Sequence, residues 1–370
     1  MISKRIIGSV LITAVLLSGC SKVNTPDTEE TAVTEISATE EIKETEETKT
    51  SETSAEKVLV PFEFNPHVYS PKLAGWVPQE NWDAFYNLCD ALREGKTEFE
   101  CSNEEAYEWA TRSTTLANLF PAACMKVEGK SEDGSAGFEN GIGKICYNMP
   151  PEEYVARQAD FEAMITGILN STLESDDTEY EMALKLYLYI AENYDYDYSD
   201  QSAIKEEDGY VYRTFKTKLG QCINYGSVYA YLLLQAGIDA MNVGCFEEGM
   251  DHAWTYAVID GKGYHIDTTW ALKSCYTGID HVYLDYFMMS DEERNSDGCL
   301  VRDLTMQLLK EFWVNRTNIV LDASDASYCI RDYCGFYSLD EDNKILTYVD
   351  MYGELHEFYY GDNKTSENKM

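Results

Sequence analysis

Cys222, His252 and Asp267 are the residues whose types and setting could do chemistry together. A thiol attacks an acyl carbon as the thiolate. Gly220-Gln221-Cys222 precedes Tyr225, Val228, Tyr229, Leu232 and Leu233, a spacing that predicts a buried amphipathic helix starting at the cysteine. A helix N-terminus carries partial positive charge and N–H groups outside the helical ladder, and both favour a sulfur anion there. The Cys222 N–H is placed to face a developing oxyanion. Gly237 fits the end of that helix.

The periodicity then changes. Met241, Val243 and Cys245 alternate as a strand, and His252 to Ile259 reads as another. Asp260-Gly261 is a hairpin turn signal, and Tyr264 to Asp267 returns. With a two-residue turn His252 falls opposite Thr269, and Asp267 lies two positions along on the same face. That diagonal is about 7–8 Å, within reach of polar side chains. The pattern thus offers a base and the carboxylate that orients it. His265 is placed on the opposite face, pointing away. His67, His281 and His356 show no partner pattern.

Gly220-Gln221-Cys222, His252-Ala253-Trp254 and Tyr264-His265-Ile266-Asp267-Thr268-Thr269-Trp270 together resemble the three-block signature of the transglutaminase-like superfamily. Tyr194-Asp195-Tyr196-Asp197 and Tyr286-Phe287-Met288-Met289-Ser290-Asp291 resemble flanks found in its bacterial members, so the resemblance runs from about Asp177 to Asp291. It implies an α+β, papain-like core: a helix bearing the cysteine packed on an antiparallel sheet bearing His and Asp. It also implies a Cys222-His252-Asp267 catalytic triad. Gln221 and Tyr196 are candidates for the second oxyanion donor. Trp254 and Trp270 are candidates for walls of the acyl slot, with core packing as the alternative.

The elements around these blocks must hold them in place. Folded sequence begins near Val58. Helices are expected over 78–95, 104–120, from Pro150-Pro151-Glu152-Glu153 onward and over 177–193, with a hairpin or two between Ala123 and Tyr147 at Asp133-Gly134 and Glu139-Asn140-Gly141. Short antiparallel strands are expected from Ser327 to Tyr360. The expected organisation is a signal peptide over 1–19 and a tether over 20–57. An N-terminal helical and hairpin subdomain over 58–150 and the catalytic core over 151–300 come next, then a short-strand region over 301–370.

Lys4-Arg5, an apolar run from Ile6 to Leu17 and Leu17-Ser18-Gly19-Cys20 resemble a bacterial lipobox, which implies lipidation of Cys20 and anchoring on the outer face of the cell membrane. The Thr-, Glu- and Ser-rich stretch after it has no aromatic residue and reads as a disordered spacer. The formal net charge of −37 argues against nucleic-acid partners. Beyond Cys20 and Cys222 stand nine cysteines: Cys89, Cys101, Cys124, Cys146, Cys245, Cys275, Cys299, Cys329 and Cys334. Export would normally oxidise them, with at least one of an odd number left unpaired unless an intermolecular bond forms, whereas a host living without oxygen would leave all of them free. None has zinc spacing, so no metal or other cofactor is expected. Asp195, Asp197 and Asp200 lack the spacing of a calcium loop and read as a solvated turn.

The leading functional reading is a surface-anchored thiol enzyme forming an acyl-enzyme from an amide, with a protein or peptide substrate, cell-wall peptide included. Hydrolysis is slightly favoured over cross-linking to an amine, because water needs no acceptor site. The alternatives are an inactive binding module of the same fold and a solute-binding lipoprotein.

Overall fold

The computed structural model describes residues 60–129, 137–199, 208–247, 250–276, 280–298 and 321–361. The signal, Cys20 and the tether lie outside the described residues, as do Asp133-Gly134, Asp200 and Cys299. The chain divides into Met1–Val58 and Leu59–Met370, and all the described residues belong to the second unit.

The N-terminal part of that unit runs α1 (Pro71–Ala74), α2 (Gln79–Arg93), β1 (Glu98–Glu100), α3 (Glu104–Ala110), α4 (Ser113–Leu119), then β2 (Val127–Glu128), β3 (Phe138–Glu139), β4 (Ile142–Lys144) and β5 (Cys146–Tyr147). The single helix expected over 104–120 is two. The Thr111 hydroxyl donates back to the Tyr107 carbonyl, and Arg112 is extended, so the axis breaks between them. Asn140 and Gly141 both have positive φ and close the β3–β4 hairpin, as their residue types require.

Next come α5 (Pro151–Thr172), α6 (Glu179–Asn193), β6 (Asp195–Tyr196), α7 (Tyr210–Thr217), β7 (Leu219–Gly220), α8 (Cys222–Gln235), β8 (Ala240–Glu247), β9 (Met250–Ile259), β10 (Lys262–Ile266), α9 (Thr268–Ala271) and α10 (Asp291–Ser296). Proline in the first turn and Glu152 and Glu153 behind it start α5. The Thr178–Glu181 capping box starts α6. The short helix α7 carried no signal strong enough to be read from sequence. The chain ends in the antiparallel strands β11 (Gly335–Asp340), β12 (Ile345–Val349) and β13 (Leu355–Tyr359).

Helix α8 sits at the centre. Every residue from Asn224 to Gln235 is buried, so the helix is enclosed on all sides rather than amphipathic. It packs on β8 and β9 of the antiparallel sheet β10-β9-β8 and against α4, α6 and α7. One position makes the close helix–sheet approach possible. A Cβ on Gly226 would stand 2.5 Å from Asn242 Oδ1 and 2.9 Å from the Trp254 carbonyl oxygen. Without it, Thr255 Oγ1 donates to the Gly226 carbonyl at 2.8 Å, and Asn242 Nδ2 donates to the Ile223 carbonyl at 3.1 Å. The start of α8 is thereby tied to the two strands beside it. The architecture is α+β, with antiparallel sheets and one short parallel pair, β6–β7, as expected in class from the resemblance.

Candidate active site

The cysteine is placed by two local devices. Strands β6 and β7 pair in parallel, with Tyr196 beside Gly220, and the Asp197 N–H donates to the Gly220 carbonyl at 2.8 Å. Asn224 Oδ1 then accepts from the Gln221 N–H at 2.6 Å and fixes the turn into α8. Cys222 is the first residue of the helix and is half-buried. Its N–H therefore lies outside the helix's own ladder.

The histidine and the aspartate come from the hairpin. Lys262 pairs with Ile259, and Asp260 and Gly261 both have positive φ, so the loop has two residues and the parity is the one expected. His252 Nε2 and Asp267 Oδ2 are 2.6 Å apart, with the His252 side chain 6% exposed and the Asp267 side chain 0%. The Cys222 thiol lies close enough to the same imidazole to help hold its proton. Since Nε2 is held by Asp267, Nδ1 is the nitrogen left for sulfur.

Asp267 is not a strand residue. β10 stops at Ile266, and Asp267 caps α9: its Oδ1 accepts from the Thr269 N–H at 3.0 Å and the Trp270 N–H at 3.3 Å. One carboxylate oxygen thus builds the cap and the other faces the imidazole. The cap makes the rotamer of Asp267 a consequence of backbone geometry.

His265 corrects the sequence reading. It shares a face with Asp267, two residues on, and its cross-strand partner Tyr256 shares a face with His252 and Trp254. The Trp254 indole Nε1–H donates to His265 Nδ1 at 3.0 Å, and His265 Nε2 then donates to Asp291 Oδ1 at 3.0 Å. The ring is wholly buried, and burial pushes its pKa down against the pull of Asp291. It is a neutral link between Trp254 and α10. Of the other histidines read as lacking a pattern, His67 pairs with Asp90 at 2.8 Å and His356 with Asp350 at 2.9 Å.

The remaining candidates divide. Trp270 is half-buried and lies parallel to the His252 ring, centroids 4.6 Å apart, so it covers the imidazole. Trp254 is fully buried beneath it and belongs to the core. Tyr196 lies close enough to Cys222 to feel its charge, and its phenol is pushed up to about 12, chiefly by burial. Gln221 Nε2 donates to the Asp197 carbonyl at 3.1 Å, which holds its amide over the β6–β7 pair. Asp197 accepts from the Ser199 N–H at 3.0 Å and lies 3.7 Å from Arg213, in keeping with a turn. Among the described residues a metal-like arrangement of side chains occurs only at Asp350, Glu354 and His356, in the distant β12–β13 hairpin.

One residue was missed. Arg294, 0% exposed, places Nη1 3.1 Å from Asp267 Oδ2. The legible signal was Ser290-x-x-Glu293, a capping box that starts α10 and sets Arg294 within it. Nothing in the sequence says that α10 folds back onto Asp267.

The electrostatics follow from these contacts. Burial alone would depress His252, but the Asp267 charge and hydrogen bond and the Cys222 contact outweigh it and hold the imidazole up to about 9; Arg294 pulls the other way. Burial would raise Asp267, yet His252, Arg294 and the backbone donors keep it below the usual carboxylate range. The site thus holds an ionised carboxylate beside an imidazole that readily carries a proton.

Residues 167–268 match the model of the transglutaminase-like superfamily. They form a transglutaminase-like domain. All three site residues lie inside it, and Arg294 lies outside. A curated relative, kyphoscoliosis peptidase of Homo sapiens, is 24% identical over 132 residues, which is 31% of this chain and 19% of that protein. The chain therefore spans about a fifth of that relative's length. A crystal structure of a Cytophaga hutchinsonii protein, provisionally assigned as a cysteine protease, matches 27% of this chain and 33% of its own, at 18% identity and a TM-score of 0.21. That likeness is too slight to argue from. The family match supports a transglutaminase-like domain around Cys222, His252 and Asp267.

Proposed function

We propose that Cys222, His252 and Asp267 form the catalytic triad of a thiol hydrolase acting on amide bonds in proteins or peptides. The observation that carries this is the buried His252–Asp267 hydrogen bond with the Cys222 thiol beside the imidazole, which holds His252 up to about 9. His252 Nδ1 takes the thiol proton, and the sulfur attacks the carbonyl carbon. The Cys222 N–H faces the oxyanion, with Gln221 or Tyr196 as the second donor. The imidazolium protonates the leaving amine, which departs and leaves an acyl-enzyme. Water then attacks the acyl carbon while His252 accepts its proton, and the thiol is released.

Water rather than an amine is the proposed acceptor, since hydrolysis requires no second binding site. The proposed organisation keeps an exported chain lipidated at Cys20, a tether over 20–57, a subdomain over 58–150, the catalytic core over 151–300 and a C-terminal region over 301–370. Cell-wall peptide on the outer face of the membrane is then an accessible substrate. Two experiments test this. Incubation with cell-wall peptides or casein should leave an acyl adduct on Cys222 by mass spectrometry, and should release peptide without incorporating a fluorescent primary amine. Amine incorporation would replace the hydrolase with a cross-linking enzyme, and no adduct under any condition would remove the enzyme reading. Cys20→Ser should release the protein from membranes, and unchanged retention would refute the anchor.

A further inference from the structure

We propose that Arg294 is a positioning residue of this site: its buried guanidinium fixes Asp267 and shares that carboxylate's charge with His252. This rests on the thiol-enzyme reading above.

Asp267 Oδ2 receives His252 Nε2 at 2.6 Å and Arg294 Nη1 at 3.1 Å, while Oδ1 receives the two backbone N–H groups of its cap. Three hydrogen-bond partners and the guanidinium's ion pair converge on one carboxylate, so neither oxygen can turn away. The guanidinium lies 4.0 Å from the Trp254 ring centroid and 4.6 Å from that of Trp270. These are the two rings that pack against His252. A flat, permanently charged group fits that place, whereas an ammonium cannot lie along both rings.

Arg294 is itself held. The Ser290–Glu293 box starts α10, His265 Nε2 donates to Asp291 Oδ1, and the Asp291 N–H donates to the Ala323 carbonyl at 2.7 Å. A turn later the chain delivers Arg294 to Asp267. The route from Trp254 through His265 and Asp291 thus joins the floor of the site to the helix that locks its carboxylate.

Two opposite charges beside His252 then compete. Asp267 favours the imidazolium and Arg294 disfavours it. Other titratable groups face this cluster from every side: Cys222 of α8, Tyr187 of α6, Tyr286 of the segment before α10, neutral His265 of β10, and Asp297, 4.0 Å from Arg294. Arg294 supplies the positive charge that stops Asp267 from over-stabilising the imidazolium.

The test reads the His252 ring directly, since the chain has five histidines and ¹³C-labelled histidine gives an assignable NMR titration. In Arg294→Met the His252 midpoint should rise by about one pH unit, tenfold in proton affinity. In Arg294→Lys, which keeps the charge, it should stay within about half that shift. A folded Arg294→Met with the wild-type midpoint overturns the proposal. Should that variant not fold, the wild-type Arg294 Nη resonance decides: it should inflect at the His252 midpoint, and a flat trace overturns the proposal. Iodoacetamide labelling separates the two readings. If Cys222 of the wild type is not the preferred thiol while Arg294 still controls His252, the enzyme reading falls and the positioning role stands.

Discussion

The Asp267–His252 contact makes stability depend on pH in a direction that can be worked out. His252 titrates near 9 in the folded chain and near 6.5 when free. The difference, 9 − 6.5 = 2.5, corresponds to about 3 kcal/mol. Because the folded value is the higher, this stabilisation is complete below pH 6.5 and is lost as pH rises through about 9. With the side chain 6% exposed, solvent screening removes little of it. The measurement is urea unfolding in a Cys222→Ser background, so that the thiol does not titrate. The difference between that protein and its His252→Ala derivative should shrink by up to about 3 kcal/mol between pH 6 and pH 10, less whatever part of the shift Cys222 supplied. Tyrosines and cysteines elsewhere titrate in both proteins and cancel. A difference that stays constant across that range would show that Asp267 does not stabilise the imidazolium, and the proposed base would lose its support.

Gly226→Ala gains about 1 kcal/mol of helix propensity but drives a Cβ to 2.9 Å from the Trp254 carbonyl oxygen, a backbone atom that cannot yield cheaply, so a net loss of roughly 1–2 kcal/mol is expected in thermal melts; equal or higher stability would contradict the close packing of α8 on β9. Cys222→Ala and His252→Ala should each abolish turnover of peptide substrate, and the double variant should be scarcely worse than either, whereas multiplying losses would mean independent residues. Trp270→Ala uncovers the His252 ring and should slow iodoacetamide labelling of Cys222 about tenfold while the circular dichroism spectrum is kept; unchanged labelling would make Trp270 irrelevant to the site.

The sequence alone determined the parts of this protein that depend on short-range rules. A two-residue Asp260-Gly261 turn demands positive φ, and once it is a turn, the period of two fixes which residues of β9 and β10 share a face. That was sufficient to bring His252 and Asp267 together, and the apolar spacing after Cys222 was sufficient to start a helix there. The same rule, applied to His265, gives the face it occupies, beside Asp267 and not away from it. Local chemistry also ended the expected 104–120 helix early, through the Thr111 hydroxyl. Only the tertiary structure decided the rest. The Cys222–His252 contact depends on how closely α8 approaches β9, which Gly226 permits but does not specify. That Arg294 arrives at the second oxygen of Asp267 from well downstream depends on where the chain runs between Asp267 and α10. A buried arginine looks like any other arginine in a sequence. Its position follows from the carboxylate it neutralises, because a charge without water or a partner would not be stable in that interior.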